Sequence, residues 1–198
     1  MRVNISVPWQ GLEGSAVVPP GFGSGGEQMS DYTTLLEEAL ESWEFAREGV
    51  TAELRNIPEK DVDFRPHEQS RTLGELVRHI IESGNLMAGE LSRPDGDFRR
   101  KSYEGLLVEY ARGVSSMRSK KQLLASLRQT HTDGVKRFRK VGELHMLQNI
   151  RRFDGKMGTR LAWMNHGIGH EEYHRGQLAM YARLLGRVPA LTKLIRGQ

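Results

Sequence analysis

Apolar residues recurring at helical spacing in four long stretches constrain this chain more than any other feature. Tyr32, Leu35, Leu36, Ala39, Trp43, Ala46, Val50 and Leu54 form one such stripe, with Glu37, Glu38, Glu41, Glu44 and Glu48 mainly outside it. This predicts a helix from about Asp31 to Asn56, with Ser30 as N-cap and Pro58 as its stop. A second helix opens at Thr72-x-x-Glu75, a capping box, carries Leu73, Leu76, Val77, Ile80, Ile81, Leu86 and Met87, and ends near Leu91. A short helix is expected around Tyr103–Ala111. A third long one follows the capping box Ser119-x-x-Gln122, with Leu123, Leu127, His131, Phe138 and Val141 on its buried side. Residues 142–158 read as loop or a small hairpin around Asp154-Gly155. The fourth long helix runs from an N-cap at Thr159 to about Leu185, with Gly186 as its C′ residue and Pro189 beyond. Four long amphipathic helices with sizeable connections predict an all-α, four-helix bundle over residues 30–198.

Residues 1–29 read differently. Gly11, Gly14, Gly21, Gly23, Gly25, Gly26 and Pro19-Pro20 break any period, which predicts a flexible N-terminal extension. Met29, just ahead of the first clean stripe, is an alternative translation start.

Composition narrows the function classes. No apolar run approaches the roughly 18 residues of a membrane span, and no secretory h-region is visible, so a cytoplasmic location is expected. Cysteine is absent, so a metal would have to be held by histidine and carboxylate. Residues 1–98 carry 8 Lys/Arg against 18 Asp/Glu, and residues 99–198 carry 21 against 7. An acidic helix packed beside a basic one, within the chain or across a dimer, accounts for that division. Nucleic-acid binding through Lys136, Arg137, Arg139 and Lys140 is disfavoured, because Phe138 among them belongs to the buried stripe and no stacking aromatics are interleaved.

The seven histidines carry the chemistry. Turning about 100° per residue, the fourth long helix groups Trp163, His170, His174, Gln177, Tyr181, Leu184 and Leu185 within roughly 60° of His170. Glu172, Arg175 and Arg183 point the other way. Two imidazoles one turn apart on an inward face can share a divalent metal; the alternative is a pair of core histidines bonded to neighbours such as Gln177 or Tyr181. His79, two turns into the second helix, is the third ligand the pattern suggests, with His166 as competitor or as a support beside the site. His67 and His145 are read as surface residues.

His170-Glu171-Glu172-Tyr173-His174 also fits H-E-x-x-H, the pattern of zinc proteases. The protease reading fails. No Asp or Glu follows Glu172, no His follows His174, and the positions where a metzincin needs Gly and His hold Gln177 and Met180. Glu171, about 100° from His170, is the one candidate general base, with a solvent-facing or supporting carboxylate as the alternative.

R-T-L-G-E-L-V-R-H at 71–79 and H-E-E-Y-H-R-G-Q-L at 170–178, with D-F-R-P at 63–66 and Y-A-R-L-L-G-R-V-P at 181–189, resemble the DinB/YfiT-like metalloprotein superfamily from about Met29 to Pro189. The resemblance implies an up-down-down-up four-helix bundle with long crossover connections, often homodimeric. It implies a divalent metal, zinc or nickel, on His79, His170 and His174. It also implies thiol-dependent chemistry, in which an external low-molecular-weight thiol attacks an electrophile. A metal-dependent thiol S-transferase is the leading expectation, and a non-catalytic, stress-related metal-binding protein is the alternative.

Overall fold

The computed structural model describes residues 34–198. The expected extension over 1–29, Met29 as a start, the N-cap Ser30, and Asp31 and Tyr32 lie outside the described residues. Among the described residues, seven α-helices occur in the order α1 (Leu35–Asn56), α2 (Leu73–Leu91), α3 (Tyr103–Tyr110), α4 (Lys120–Val141), α5 (Glu143–Met146), α6 (Arg160–Leu184) and α7 (Ala190–Ile195). Between α5 and α6 lie two short antiparallel strands, β1 (Asn149–Arg151) and β2 (Met157–Thr159), with Asn149 opposite Thr159 and Arg151 opposite Met157.

The helix starts follow from side-chain caps. Thr72 and Glu75 form the reciprocal capping box of α2, and Ser119 and Gln122 that of α4. Thr159 accepts from the Ala162 amide at the head of α6. The cap of α1 corrects the sequence reading: Thr34 sits in extended backbone and accepts from the Glu37 amide, so the helix begins at Leu35. Between Arg152 and Lys156 the hairpin turns at Gly155, whose φ of 83° a side chain would disfavour. Helices α5 and α7 were not expected; α7 follows Pro189, which occupies its N-cap.

The long helices α1, α2, α4 and α6 pack around two clusters of buried residues, with Leu107 against both. Along α1 and α6 the bonded residues ascend together, Trp43 and Arg47 with Glu171, then Asn56 with Val188. Along α2 and α6 they run in opposite order, His79 with His170 and Leu91 with Arg160. Along α1 and α4 the order is again opposed, Glu37 with Arg139 and Arg47 with Leu127. The charge asymmetry of the sequence resolves partly here, because acidic α1 lies beside basic α4 and Arg139 pairs with Glu37 at 2.8 Å. No helix among the described residues is long and apolar enough to cross a membrane.

The buried face of α6 differs from the predicted one. Leu161, Met164, Ile168, Glu171, Arg175, Leu178 and Ala182 form a buried seam in which Glu171 and Arg175 meet α1. His174 and Tyr181 are buried as well, as expected, on the flank where His170 meets His79 of α2. Leu184, expected inside, is 60% exposed. Arg175, expected outside, is buried: its guanidinium bonds Glu172 at 2.9 Å and lies 5.0 Å from the Phe45 ring, over Gly49 of α1. A helix with two packed neighbours buries two flanks, and a wheel centred on the histidines sees only one of them.

Candidate metal centre

Across the α2–α6 contact, the His170 Nε2 atom lies 3.1 Å from His79 Nε2 and 3.0 Å from His174 Nε2. One ring nitrogen from each of the three lies within 4.8 Å of the other two. His79 and His170 are half-buried and His174 is buried.

Hydrogen bonding favours an ion in this cluster. The His174 Nδ1 atom faces the Gln177 Oε1 atom at 2.7 Å. An amide oxygen only accepts, so the proton sits on Nδ1 and the His174 Nε2 lone pair points at the other rings. A single Nε2 proton on His170 cannot satisfy both His79 and His174. A cation among the three would. Tetrahedral zinc–imidazole bonds of about 2.0–2.1 Å set nitrogens about 3.3 Å apart, a few tenths of an ångström wider than these spacings.

The rings are held neutral. Burial pushes His79 down to about 3, with the charges of Arg71, His170 and His174 adding to the effect. Burial likewise lowers His170 to about 4, reinforced by His174. His174 moves the same way, again chiefly through burial. Neutral imidazole is the form that binds a metal.

Three spaces lie about the cluster. On one side a cavity of about 310 Å³ reaches His79 and His170 and is walled mainly by rings, among them Phe98, Tyr103, Phe153 and Trp163. Beyond Gln177 a polar cleft of about 610 Å³, which touches none of the three histidines, is lined by Arg65, Arg71, Glu75, Gln69 and Ser70, with Gln177 and Tyr181. A third space, of about 290 Å³, reaches His79 beside Arg71, Arg78 and Glu82.

The remaining predicted site residues fall in different places. Gln177 bonds His174, the contact that the core-histidine alternative also contained. Tyr181 donates its hydroxyl to the Arg71 carbonyl at 3.0 Å and stands beside Gln177 rather than in the cluster. Trp163 lines the ring-walled cavity, and His166, exposed, lies against it with ring centroids 4.8 Å apart. Glu171, the candidate base, is not brought to the cluster. It is 3% exposed and turned toward α1, where Trp43 Nε1 donates to Oε2 at 3.0 Å and Arg47 engages both oxygens. Its carboxylate serves the bundle core. His145, read as surface, has Nε2 within 2.8 Å of the Leu91 carbonyl at the end of α2.

Sequence reasoning passed over Phe98, Tyr103 and Phe153 because they lie in or next to short connections, where no period marks a shared wall. Ser83 had a signal, since it stands one turn after His79 on α2.

Comparison with solved structures places the fold. The chain superimposes on a DinB-like protein, YjoA, of Bacillus subtilis with a TM-score of 0.58 and 20% identity, over 76% of this chain and 93% of that one. YfiT of Bacillus subtilis, described as a probable metal-dependent hydrolase with an unusual four-helix bundle topology, matches with a TM-score of 0.60 and 14% identity, over 85% and 97% of the two chains. A mycothiol-dependent maleylpyruvate isomerase matches with a TM-score of 0.57 and 13% identity, over 73% of this chain and 61% of that one. No curated protein matches. Residues 29–197 match the DinB family, and the chain belongs to that family.

Proposed function

We propose that His79, His170 and His174 hold one divalent metal ion, zinc or nickel, and that the site transfers a small external thiol to an electrophile. The observation that carries this reading is the convergence of three neutral imidazoles on one point with too few protons to satisfy each other. When bound, the ion would supply positive charge that favours a thiolate over the thiol. Three protein ligands leave at least one position open, as catalytic sites do.

The chain's own residues divide the remaining work. Gln177 fixes the His174 ring and its tautomer. Arg71 offers the polar cleft a guanidinium for a thiol that carries a carboxylate, beside Arg65, which pairs with Glu75 at 3.1 Å. The ring-walled cavity, partly open to solvent, offers the electrophile an apolar surface. In the transfer, the thiol sulfur bonds an electrophilic carbon. The thiol proton leaves to solvent, and the electrophile expels an anion or takes the electron pair into its own π-system. The neighbours described as metal-dependent and mycothiol-dependent support the class of chemistry. The residue pairing along the helices supports an up-down-down-up order, and a homodimer in the cytoplasm completes the proposal.

The test is metal content by elemental analysis of the full chain beside a His170→Ala/His174→Ala double variant, followed by thiol binding and a broad panel of electrophiles. About one ion per chain, lost in the double variant, with thiol-dependent turnover, is expected. No metal in either protein after reconstitution would overturn the site. Metal with neither thiol binding nor turnover would leave a non-catalytic metal-binding protein.

A further inference from the structure

The ring-walled cavity has a composition the metal reading does not require. Phe98 and Phe153 have centroids 4.7 Å apart, Phe98 and Trp163 5.7 Å, and Tyr103 and Phe153 6.3 Å. These rings come from four separate pieces of chain. The hairpin brings them together: Phe98 donates its amide to the Arg151 carbonyl on β1 at 3.1 Å, which ties it beside the turn that carries Phe153. Arg152 lies over the Trp163 ring, 4.7 Å from its centroid, and does not line the cavity. Phe153 is 43% exposed, and its ring meets Phe98, Tyr103 and Trp163.

No lining residue carries a formal charge. The hydroxyls lie on the α2 side, where Ser83 stands one turn from His79 and the Tyr103 hydroxyl lies beside Ser83, with His170 facing them from α6. One further imidazole, His166, stands against Trp163 in the ring wall.

We infer that this chamber binds the flat, uncharged aromatic body of the substrate and turns its single polar substituent toward His79, His170 and Ser83. The direction in which the substrate points rests on the proposed metal centre, whereas its occupancy of the chamber does not. Rings that meet edge-on or offset at these spacings add attraction beyond that of buried area, which an aliphatic guest of equal size lacks. A charged body would lose part of its hydration and meet no opposite formal charge among the lining residues. A volume of about 310 Å³ sits at the small end of ligand pockets, which limits the guest to one or two rings.

The test is calorimetric titration of the metal-loaded full chain with 2-naphthol and with its saturated counterpart, decahydro-2-naphthol. Saturable one-to-one binding of 2-naphthol is expected, at least about fivefold tighter than that of the saturated compound, the scale of one aromatic contact. Phe153→Leu, which keeps apolar bulk and removes the ring, is expected to weaken 2-naphthol by a similar factor, with circular dichroism confirming the fold. Absence of saturable binding, equal affinity for the two compounds, or unchanged affinity in Phe153→Leu each overturns the chamber. Repeating the titration on chelator-treated protein separates the two readings. Protein that takes up no metal but binds 2-naphthol sinks the metal centre and keeps the chamber, and metal-bearing protein that ignores 2-naphthol does the reverse.

Discussion

His79 and His170 stand 91 positions apart in sequence and bring their Nε2 atoms to 3.1 Å. The contact depends on α2 and α6 crossing at a fixed level, and Gln177 sets the third ring against them. Gln177→Leu removes the acceptor for the His174 Nδ1 proton while leaving the packing of α6 intact. Metal affinity is expected to fall by roughly 10- to 100-fold, measured by competition with a chromophoric chelator. An unchanged affinity would mean that His174 does not present Nε2 to the metal.

Glu171 lies next to His170 in sequence but faces the opposite flank of α6. Glu171→Gln leaves the buried Arg47 without its charge partner, although Leu127 and Thr130 still accept from it. A loss of about 3 kcal/mol in urea denaturation is expected, with metal stoichiometry of the folded protein unchanged. Lost turnover at undiminished stability would instead restore Glu171 as a base.

These two residues show how far the sequence could be read. Capping boxes at Thr72 and Ser119 are local, so helix starts were legible. His79, His170 and His174 were legible as a set because a helical period places two of them on one flank and the family resemblance supplies the third. Arg47, Glu53, Glu90 and Glu171 were not legible as core residues, since a charged side chain in a helical stripe looks solvated until its partner on another helix is known. The aromatic cavity was hidden for a similar reason, because its walls come from connections that only the tertiary fold brings together.

His131 predicts an acid-side weakness. It is half-buried and edge-on to Trp43 at 4.7 Å, its Nε2 has no partner among the described residues, and burial, with the Arg47 charge, pushes it down to about 4. An unfolded histidine titrates near 6.5, so between about 6.5 and 4 the unfolded chain binds more protons than the folded one. The stability contributed by neutral His131 is therefore complete above 6.5 and declines as pH falls through that window. Melting temperatures from pH 7 to 4.5 are expected to drop less steeply in His131→Gln than in the unsubstituted protein. The metal-site histidines contribute equally to both proteins, so parallel curves would show that His131 is not held neutral.

Two glycine-to-alanine substitutions are expected to act with opposite sign. Alanine is favoured over glycine within a helix by up to about 1 kcal/mol. At Gly176 on α6 a new Cβ meets nothing within 4 Å, so Gly176→Ala should stabilise by a sizeable part of that amount. At Gly134 on α4 the same Cβ would fall 2.8 Å from Trp43 Cζ3 and 3.2 Å from the Ala88 Cβ atom. Trp43 cannot swing away without breaking its bond to Glu171, and Ala88 is backbone-bound on α2. Overpacking of this kind costs about 1–3 kcal/mol, which exceeds the propensity gain. Gly134→Ala should therefore lower the urea midpoint while Gly176→Ala raises it. A rise in both would mean that α4 does not press against Trp43 as closely as this, and that the junction of α1, α2 and α4 is looser than the buried indole implies.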